Sequence, residues 1–188
     1  MKKLKLQVQM TLDGFVARPD GRLDWMWLDA EADHAVYDKV IELAEQCEAI
    51  LLGRKMTDEF IDHWENVYAN MPESHEYVLA RRMVEMRKIV FSRSQAVVNG
   101  KNVEVENGDF VAAVQKLKEQ ADKDLIVYGG AAFVSSLINA NLIDEYYIFS
   151  NPVAIGSGLP IFTDTTRLKL IDSLAYKNGK MLNTFLPA

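Results

Sequence analysis

The feature that most constrains the fold lies at residues 124–134, where an apolar run stops at two glycines and an apolar helical pattern follows at once. The run over residues 125–128 predicts a buried strand. Gly129 and Gly130 carry no Cβ atom, so a ligand can approach their backbone closely. A helix that starts directly after them presents free N–H groups and the positive end of its dipole, which favour an anion such as a diphosphate. The segment therefore predicts a strand–turn–helix unit with a candidate anion site at its turn.

Strand and helix patterns alternate in the same way through the first 150 residues. Apolar and polar residues alternate over residues 4–10, which predicts a half-buried first strand. The two strand-like runs around Asn178-Gly179 predict a terminal antiparallel hairpin. This order predicts one α/β domain over residues 1–188, with a largely parallel sheet covered on both faces. Further strands are predicted at 49–52, 88–91, 103–105 and 146–155, helices at 31–46, 55–62, 74–84, 109–120 and 131–139, and a loop at 66–72.

Composition narrows the class of protein. The formal net charge is -6, which disfavours a surface for nucleic acid or anionic membrane, because both need a positive field. A single cysteine, Cys47, excludes an internal disulfide and a cysteine-based zinc site. His34, His63 and His75 are scattered, so no metal site is predicted. No apolar run approaches the roughly 20 residues that a membrane span needs. We expect a cytoplasmic enzyme or binding domain that acts on a small molecule.

Two basic turns accompany the glycine pair. Residues 53–55 (Gly-Arg-Lys) and 92–94 (Ser-Arg-Ser) each follow an apolar run. The planar guanidinium of arginine donates paired hydrogen bonds to phosphate, and serine hydroxyls can add donors. Each residue alone is better explained as a solvated turn residue, but three such turns in strand–helix order favour a nucleotide along the carboxyl ends of the strands. The Rossmann glycine pattern is absent, because residues 156–158 (Gly-Ser-Gly) run into Leu-Pro instead of opening a helix.

Two carboxylates and two tryptophans are candidates for the substrate side. Asp13 lies where the first strand breaks into a long loop, and Asp33 extends the inward stripe of the first helix. A carboxyl group that faces an apolar cleft keeps its proton near neutral pH and can act as an acid. Asp33 is better explained by itself as a charge that complements the helix dipole. Trp25 and Trp27 either wall a planar substrate or anchor the loop, and the sequence leaves both open.

Five motifs in order resemble a known family across nearly the whole chain. They are residues 9–17 (Gln-Met-Thr-Leu-Asp-Gly-Phe-Val-Ala), 51–55 (Leu-Leu-Gly-Arg-Lys), 90–94 (Val-Phe-Ser-Arg-Ser), 127–130 (Val-Tyr-Gly-Gly) and the segment 142–162. Their order and spacing resemble the dihydrofolate reductase-like superfamily. Within it, the chain is most similar to the reductase domain of bacterial riboflavin biosynthesis, the RibD C-terminal branch, and its stand-alone relatives.

The resemblance implies a fold and a cofactor. The fold is a mixed, mainly parallel, eight-stranded sheet with helices on both faces and a C-terminal antiparallel hairpin. The cofactor is NADPH, laid across the strand ends, with its 2′-phosphate among residues 92–94 and its nicotinamide beside residues 16–17. The residues that the resemblance assigns to the cofactor are Val16, Ala17, Gly53, Arg54, Lys55, Met56, Ser92, Arg93, Ser94, Tyr128, Gly129, Gly130, Ala131, Ala132 and Phe133, and those that it leaves nearer the substrate are Asp13, Trp25 and Asp33.

The chain departs from the family pattern at one phosphate-binding position. Met56 stands where the family commonly has threonine, and Thr57 follows one step later. A lost hydroxyl donor would weaken cofactor binding by about 1 kcal/mol.

The resemblance implies an NADPH-dependent reductase that delivers hydride to a C=N or C=O carbon of a pterin- or aminopyrimidine-like heterocycle. Asp33 is favoured over Asp13 as the proton donor, and a homodimer formed through residues 145–153 is expected. Two alternatives are a non-catalytic nucleotide-binding or interaction module that retains the fold, and a flavodoxin-like domain, which would purify as a yellow protein.

Overall fold

The computed structural model describes residues 1–27, 34–94 and 97–188. These described residues contain eight strands and five α-helices, and a short 3-10 helix, Asp24–Trp27, precedes the first α-helix. The strands are β1 Leu4–Thr11, β2 Cys47–Gly53, β3 Arg87–Phe91, β4 Val103–Glu106, β5 Asp124–Gly129, β6 Glu145–Asn151, β7 Leu168–Ala175 and β8 Met181–Pro187, and the helices are α1 His34–Glu45, α2 Arg54–Asn70, α3 Tyr77–Glu85, α4 Phe110–Gln120 and α5 Ala131–Asn139.

All eight strands form one sheet in the order β4-β3-β2-β5-β1-β6-β8-β7. The strand β8 runs antiparallel to both of its neighbours, and every other adjacent pair is parallel. Buried side chains of α4 and α5 pack on one face of the sheet, and those of α1 and α3 pack on the other, here called the α1 face. The predicted fold, a mainly parallel eight-stranded sheet with helices on both faces and a terminal hairpin, is confirmed. None of the helices in the described ranges has the length and apolarity that a bilayer crossing requires.

Two predicted helices match the structure closely. The helix predicted at 131–139 is α5, and the helix predicted at 109–120 is α4, which Asp109 caps by accepting a hydrogen bond from the backbone N–H of Ala112 at 2.9 Å. The loop predicted at 66–72 is wrong over residues 66–70, which continue α2. That helix buries Ile61 and Val67 along one side, so tertiary packing outweighs the low helix propensity of Asn66 and Asn70.

The prediction that the first strand is half buried is also wrong. β1 lies between β5 and β6, and Lys5 and Gln7 are buried along with its apolar residues. The predicted dimer contact over 145–153 falls largely on β6, whose two edges are occupied by β1 and β8. Any contact between protomers that uses β6 must therefore use a face of the sheet and not its edge.

Candidate functional site

The three predicted turns meet at one edge of the sheet. β3, β2 and β5 are adjacent and parallel, so their carboxyl ends lie side by side. Gly53 pairs with Phe91 of β3, and its neighbour Leu52 pairs with Gly129 of β5. A Cβ atom built on Gly53 would lie 3.2 Å from the backbone nitrogen of Gly130. The turns after these strands are therefore close enough to contact one extended ligand.

Two helices begin at this edge without a side-chain cap. α2 starts directly after Gly53, α5 starts directly after Gly130, and neither glycine provides a capping hydrogen bond. The first N–H groups of a helix have no partner within the helix, and the helix dipole adds positive potential there. The peptide between Gly129 and Gly130 is cis. The two neighbouring helix starts form an arrangement that favours an anion with two phosphate groups.

Of the two residues Met56 and Thr57, only Met56 directs its side chain toward the glycine pair. The Thr57 hydroxyl is fully buried and donates a hydrogen bond to the carbonyl oxygen of Gly53 at 3.0 Å. It therefore points into the protein and does not replace the threonine that the family has one position earlier. The side chain of Met56 lies against the glycines instead, with its Sδ atom 2.6 Å from a Cβ built on Gly129. A side chain at residue 129 would therefore have to displace the flexible thioether of Met56.

The turn after β3 separates into an anchored residue and two exposed ones. Ser92 is buried, its carbonyl oxygen accepts a hydrogen bond from Asn107 Nδ2 at 2.7 Å, and its hydroxyl accepts one from the Ser94 N–H at 3.3 Å. The side chains of Arg93 and Ser94 are exposed. Ser92 thus holds the turn in shape, while Arg93 and Ser94 remain accessible to a ligand. Asn107, which follows β4, was not identified from the sequence.

Arg54 belongs to the first basic turn and is the first residue of α2. Its guanidinium pairs with Asp58 one turn along α2 at 2.8 Å. A cleft of about 340 Å³ separates this part of α2 from residues 97–99. Lys55, the next residue, is exposed at the start of the helix. The cationic groups of the site are therefore partly solvated and arranged around the helix start.

Asp13 anchors the loop that follows β1. Its carboxylate accepts hydrogen bonds from the backbone N–H groups of Ile155 at 3.0 Å and Gly156 at 2.7 Å. Hydrogen bonding from the Thr11 hydroxyl and from these backbone groups lowers the pKa of Asp13. A carboxylate held in its charged form by several donors is suited to fixing a loop and poorly suited to donating a proton.

The segment after β6 makes backbone contacts with the same loop. Ala17 and Leu159 form an antiparallel bridge, and the Val16 N–H donates to the Leu159 carbonyl oxygen at 3.0 Å. A Cβ atom on Gly158 would collide with the carbonyl oxygen of Ala17 and lie 2.8 Å from Cβ of Phe15. Gly158 is therefore needed for a close backbone approach, a use of the Gly-Ser-Gly segment that the sequence did not reveal.

The aromatic side chains near the site are packed into the protein. The Trp25 side chain is 2% exposed, which favours its role as a loop anchor over that of a cleft wall. Tyr128 stacks on Phe60 with ring centroids 6.0 Å apart, and its hydroxyl is buried. Phe133 stacks on Phe91 at 4.8 Å behind the start of α5. Asp33 lies outside the described residues, as does the side chain of Trp27.

Polar side chains that were not predicted from the sequence lie on the α1 face of β1 and β6. The apolar residues of β1 belong to the opposite core, so Gln7 and Gln9 point to the α1 face. Asn151 is buried at the end of β6 and donates from Nδ2 to Gln9 Oε1 at 2.9 Å. Alternation within β1 had suggested that these glutamines face solvent. They instead place amide groups on the α1 face of the sheet.

The chain is similar in sequence to known bacterial proteins. The chain is 29% identical over 181 residues to the uncharacterized protein YyaP of Bacillus subtilis (strain 168), a match that covers 95% of this chain and 91% of that protein. It is 25% identical over 158 residues to the riboflavin biosynthesis protein RibD of Corynebacterium ammoniagenes, covering 83% of this chain and 44% of RibD.

Solved structures share the fold. A putative riboflavin biosynthesis protein from Shewanella sp. PV-4 superposes with a TM-score of 0.77 at 19% identity, over 100% of this chain and 99% of that one. A diaminohydroxyphosphoribosylaminopyrimidine deaminase/5-amino-6-(5-phosphoribosylamino)uracil reductase from Thermotoga maritima superposes with a TM-score of 0.69 at 21% identity, over 100% of this chain and 57% of that one. The family model of the RibD C-terminal domain matches residues 2–182, and this protein therefore belongs to the RibD C-terminal domain family.

Proposed function

We propose that this protein is an NADPH-dependent reductase that transfers hydride to a planar pyrimidine- or pterin-like heterocycle. The observation that carries the proposal is the meeting of two uncapped helix starts, those of α2 and α5, at adjacent strand ends. The glycines at both starts leave room for a diphosphate against the backbone. Family membership supports the same reaction class.

Individual residues have distinct parts in the proposed site. The N–H groups after Gly53 and Gly130 would bind the diphosphate, and the exposed Arg93 and Ser94 would bind the 2′-phosphate of the adenosine half. The loop fixed by Asp13 would place Val16 beside the nicotinamide. When bound, NADPH supplies the hydride. The protein contributes orientation and exclusion of water.

Asp33 remains the proposed proton donor. Asp13, the other candidate, is occupied by two backbone N–H groups and has a lowered pKa, which favours a structural role. The heterocycle is proposed to lie on the α1 face beside β1, where Gln7 and Gln9 offer amide groups. Ordered water is the alternative proton source. Loss of turnover in Asp33→Asn with unchanged NADPH affinity would support the carboxyl.

Fluorescence titration with NADPH and NADH tests the cofactor assignment. We expect tighter binding of NADPH, and the Arg93→Gln variant should lose about tenfold in NADPH affinity, because one charge-assisted hydrogen bond is removed, while NADH affinity stays unchanged. Arg81→Gln is the matched control, since Arg81 is an exposed arginine on α3 paired with Glu85. Equal affinities for the two cofactors, both weaker than millimolar, would contradict the proposal.

A non-catalytic nucleotide-binding module is the second candidate. Two observations favour it: the Thr57 hydroxyl is turned away from the site, and Asp13 is committed to the loop. It requires NADPH binding without oxidation in the presence of any pterin, pyrimidine or dicarbonyl substrate. Measurable NADPH oxidation with one such compound, lost in Asp33→Asn, would exclude it.

We also propose a homodimer. The terminal hairpin exposes several large apolar side chains that a protomer contact would cover, namely those of Leu170, Ile171, Leu174 and Met181. Light scattering of the purified protein should give twice the mass of one chain, and the chain mass itself would contradict the dimer.

A further inference from the structure

The turn of the terminal hairpin lies at the same edge of the sheet as the candidate site. β7 and β6 are both antiparallel to β8, so β7 also ends at this edge. The turn rests on the residue that follows β6 by one step, because a Cβ atom on Gly179 would lie 3.3 Å from Cγ of Pro152. Tyr176 stacks on Phe149 of β6 with ring centroids 6.2 Å apart. These contacts fix the turn beside the α1 face of β6.

Lys180 is placed by this turn opposite a polar residue of the site. Ser150 pairs with Met181, so continuing the register sets Lys180 opposite Asn151. Alternation along β8 directs its side chain to the same face as Leu182, which is the α1 face. Asn151 pairs in turn with Thr11 at the end of β1. With strands about 4.8 Å apart, Lys180 is about 10 Å from the start of the loop that borders the proposed nicotinamide position.

The ammonium group of Lys180 differs from those of the buried Lys5 and Lys118. Its side chain is partly buried, and burial alone lowers its pKa, with no charged partner contributing. No acceptor among residues 1–27, 34–94 and 97–188 contacts its Nζ atom. Lys5 and Lys118 are more deeply buried, yet each pairs with an aspartate. An unpaired, partly desolvated charge is unfavourable for folding, and such groups concentrate at functional sites.

We infer that Lys180 is a specificity-determining residue that binds an oxyanion, carboxylate or phosphate, carried by the heterocyclic substrate. The inference rests on the proposed reductase function. Gln9 and Asn151 lie between Lys180 and the loop after β1, so a ring on the α1 face would meet amide groups at its polar edge and the ammonium at its acidic substituent. The charge that folding leaves uncompensated would then be paired in the complex.

Matched pairs of neutral and anionic pyrimidines test the inference. Calorimetric titrations with saturating NADP⁺ would compare uracil with orotate and uridine with uridine 5′-monophosphate. We expect at least one anion to bind about tenfold more tightly than its neutral partner, since a charged hydrogen bond is added. A preference within the first pair identifies a carboxylate site, and one within the second pair identifies a phosphate site.

Variants of Lys180 complete the test. Lys180→Gln should abolish the preference, Lys180→Arg should retain most of it, and Lys169→Gln, an exposed lysine on the same hairpin, should leave it unchanged. An unaltered melting temperature in Lys180→Gln separates recognition from a folding role. Equal binding of anion and neutral partner, binding of neither, or an undiminished preference in Lys180→Gln overturns the inference. If the wild-type protein binds NADPH normally in these cases, the reductase proposal still stands.

Discussion

The two edges of the sheet are built for different purposes. At the amino edge, where the parallel strands begin, two buried lysines are paired with partly exposed aspartates: Lys5 with Asp124 at 3.1 Å and Lys118 with Asp144 at 2.5 Å. At the carboxyl edge, glycines end the strands, two helices start without caps, and Arg93 is exposed. Polar groups are thus satisfied within the chain at one edge and left for a ligand at the other. Substitutions should separate accordingly into effects on stability and effects on binding.

The largest effect is expected at the amino edge, in Asp144→Ala. The Asp144 carboxylate accepts from Lys118 Nζ and from the Leu4 backbone N–H at 2.7 Å. Its removal leaves the deeply buried Lys118 ammonium without a counter-ion, which we expect to lower the free energy of unfolding by about 3 kcal/mol. Urea denaturation measures the change. Asp172→Ala, an exposed aspartate on β7, is the control, and an equal loss in both variants would contradict the assignment.

At the carboxyl edge, Gly130→Ala should weaken cofactor binding and leave stability nearly unchanged. A Cβ atom on Gly130 meets Met56 Cγ at 3.6 Å, an ordinary contact, so the folded protein has room for it. The methyl group would nevertheless occupy the space that we assign to the diphosphate. We expect NADPH affinity to fall by about tenfold or more, while the urea midpoint changes little. Unchanged NADPH binding would show that the glycine pair does not contact the cofactor.

The pH dependence of stability tests the role of Lys88, a buried lysine at the amino edge. Its Nζ atom donates to the carbonyl oxygens of Met83, Val84 and Met86 at the end of α3, and burial lowers its pKa to about 8. The unfolded chain, with an ordinary lysine pKa near 10.5, therefore holds more protons than the folded protein between these values. Stability contributed by this group rises as the pH increases from about 8 to 10.5.

The measurement compares wild type with Lys88→Met. The difference in unfolding free energy between the two proteins should change over this pH range in favour of wild type, and should be constant below pH 7, where Lys88 is charged in both states. A difference that stays constant throughout would mean that the three carbonyl acceptors keep the folded-state pKa near its usual value.

The sequence allowed the carboxyl edge to be predicted better than the amino edge. Glycines and basic turns are local signals, and parallel strands bring their ends together, so residues 53–55, 92–94 and 129–130 could be placed in one site. The burial of Lys5 depends on β1 having neighbours on both sides, which alternation within one strand does not encode. The anchoring of Asp13 likewise depends on the N–H of Gly156, which lies far along the chain. Partners distant in sequence determine both roles.

The smallest effect is expected for a substitution of Tyr128 at the carboxyl edge. This substitution tests the contribution of the side chain separately from that of the backbone. Its hydroxyl is buried and has no hydrogen-bond partner among the described residues, and burial raises its pKa. Its ring stacks on Phe60, a contact that phenylalanine would keep. Tyr128→Phe should therefore increase the free energy of unfolding by up to about 1 kcal/mol, because an unsatisfied polar group is removed from the interior.

NADPH affinity should be unchanged in this variant, since only the backbone at residue 128 adjoins the glycine pair. Calorimetric melting and cofactor titration of the same preparation measure both quantities. A destabilised variant would show that the hydroxyl is hydrogen-bonded in solution, to water held within the α1 face. Weaker NADPH binding at unchanged stability would instead assign the Tyr128 side chain to the cofactor site. Residues that affect binding would then include a buried core side chain as well as the turns at the carboxyl edge.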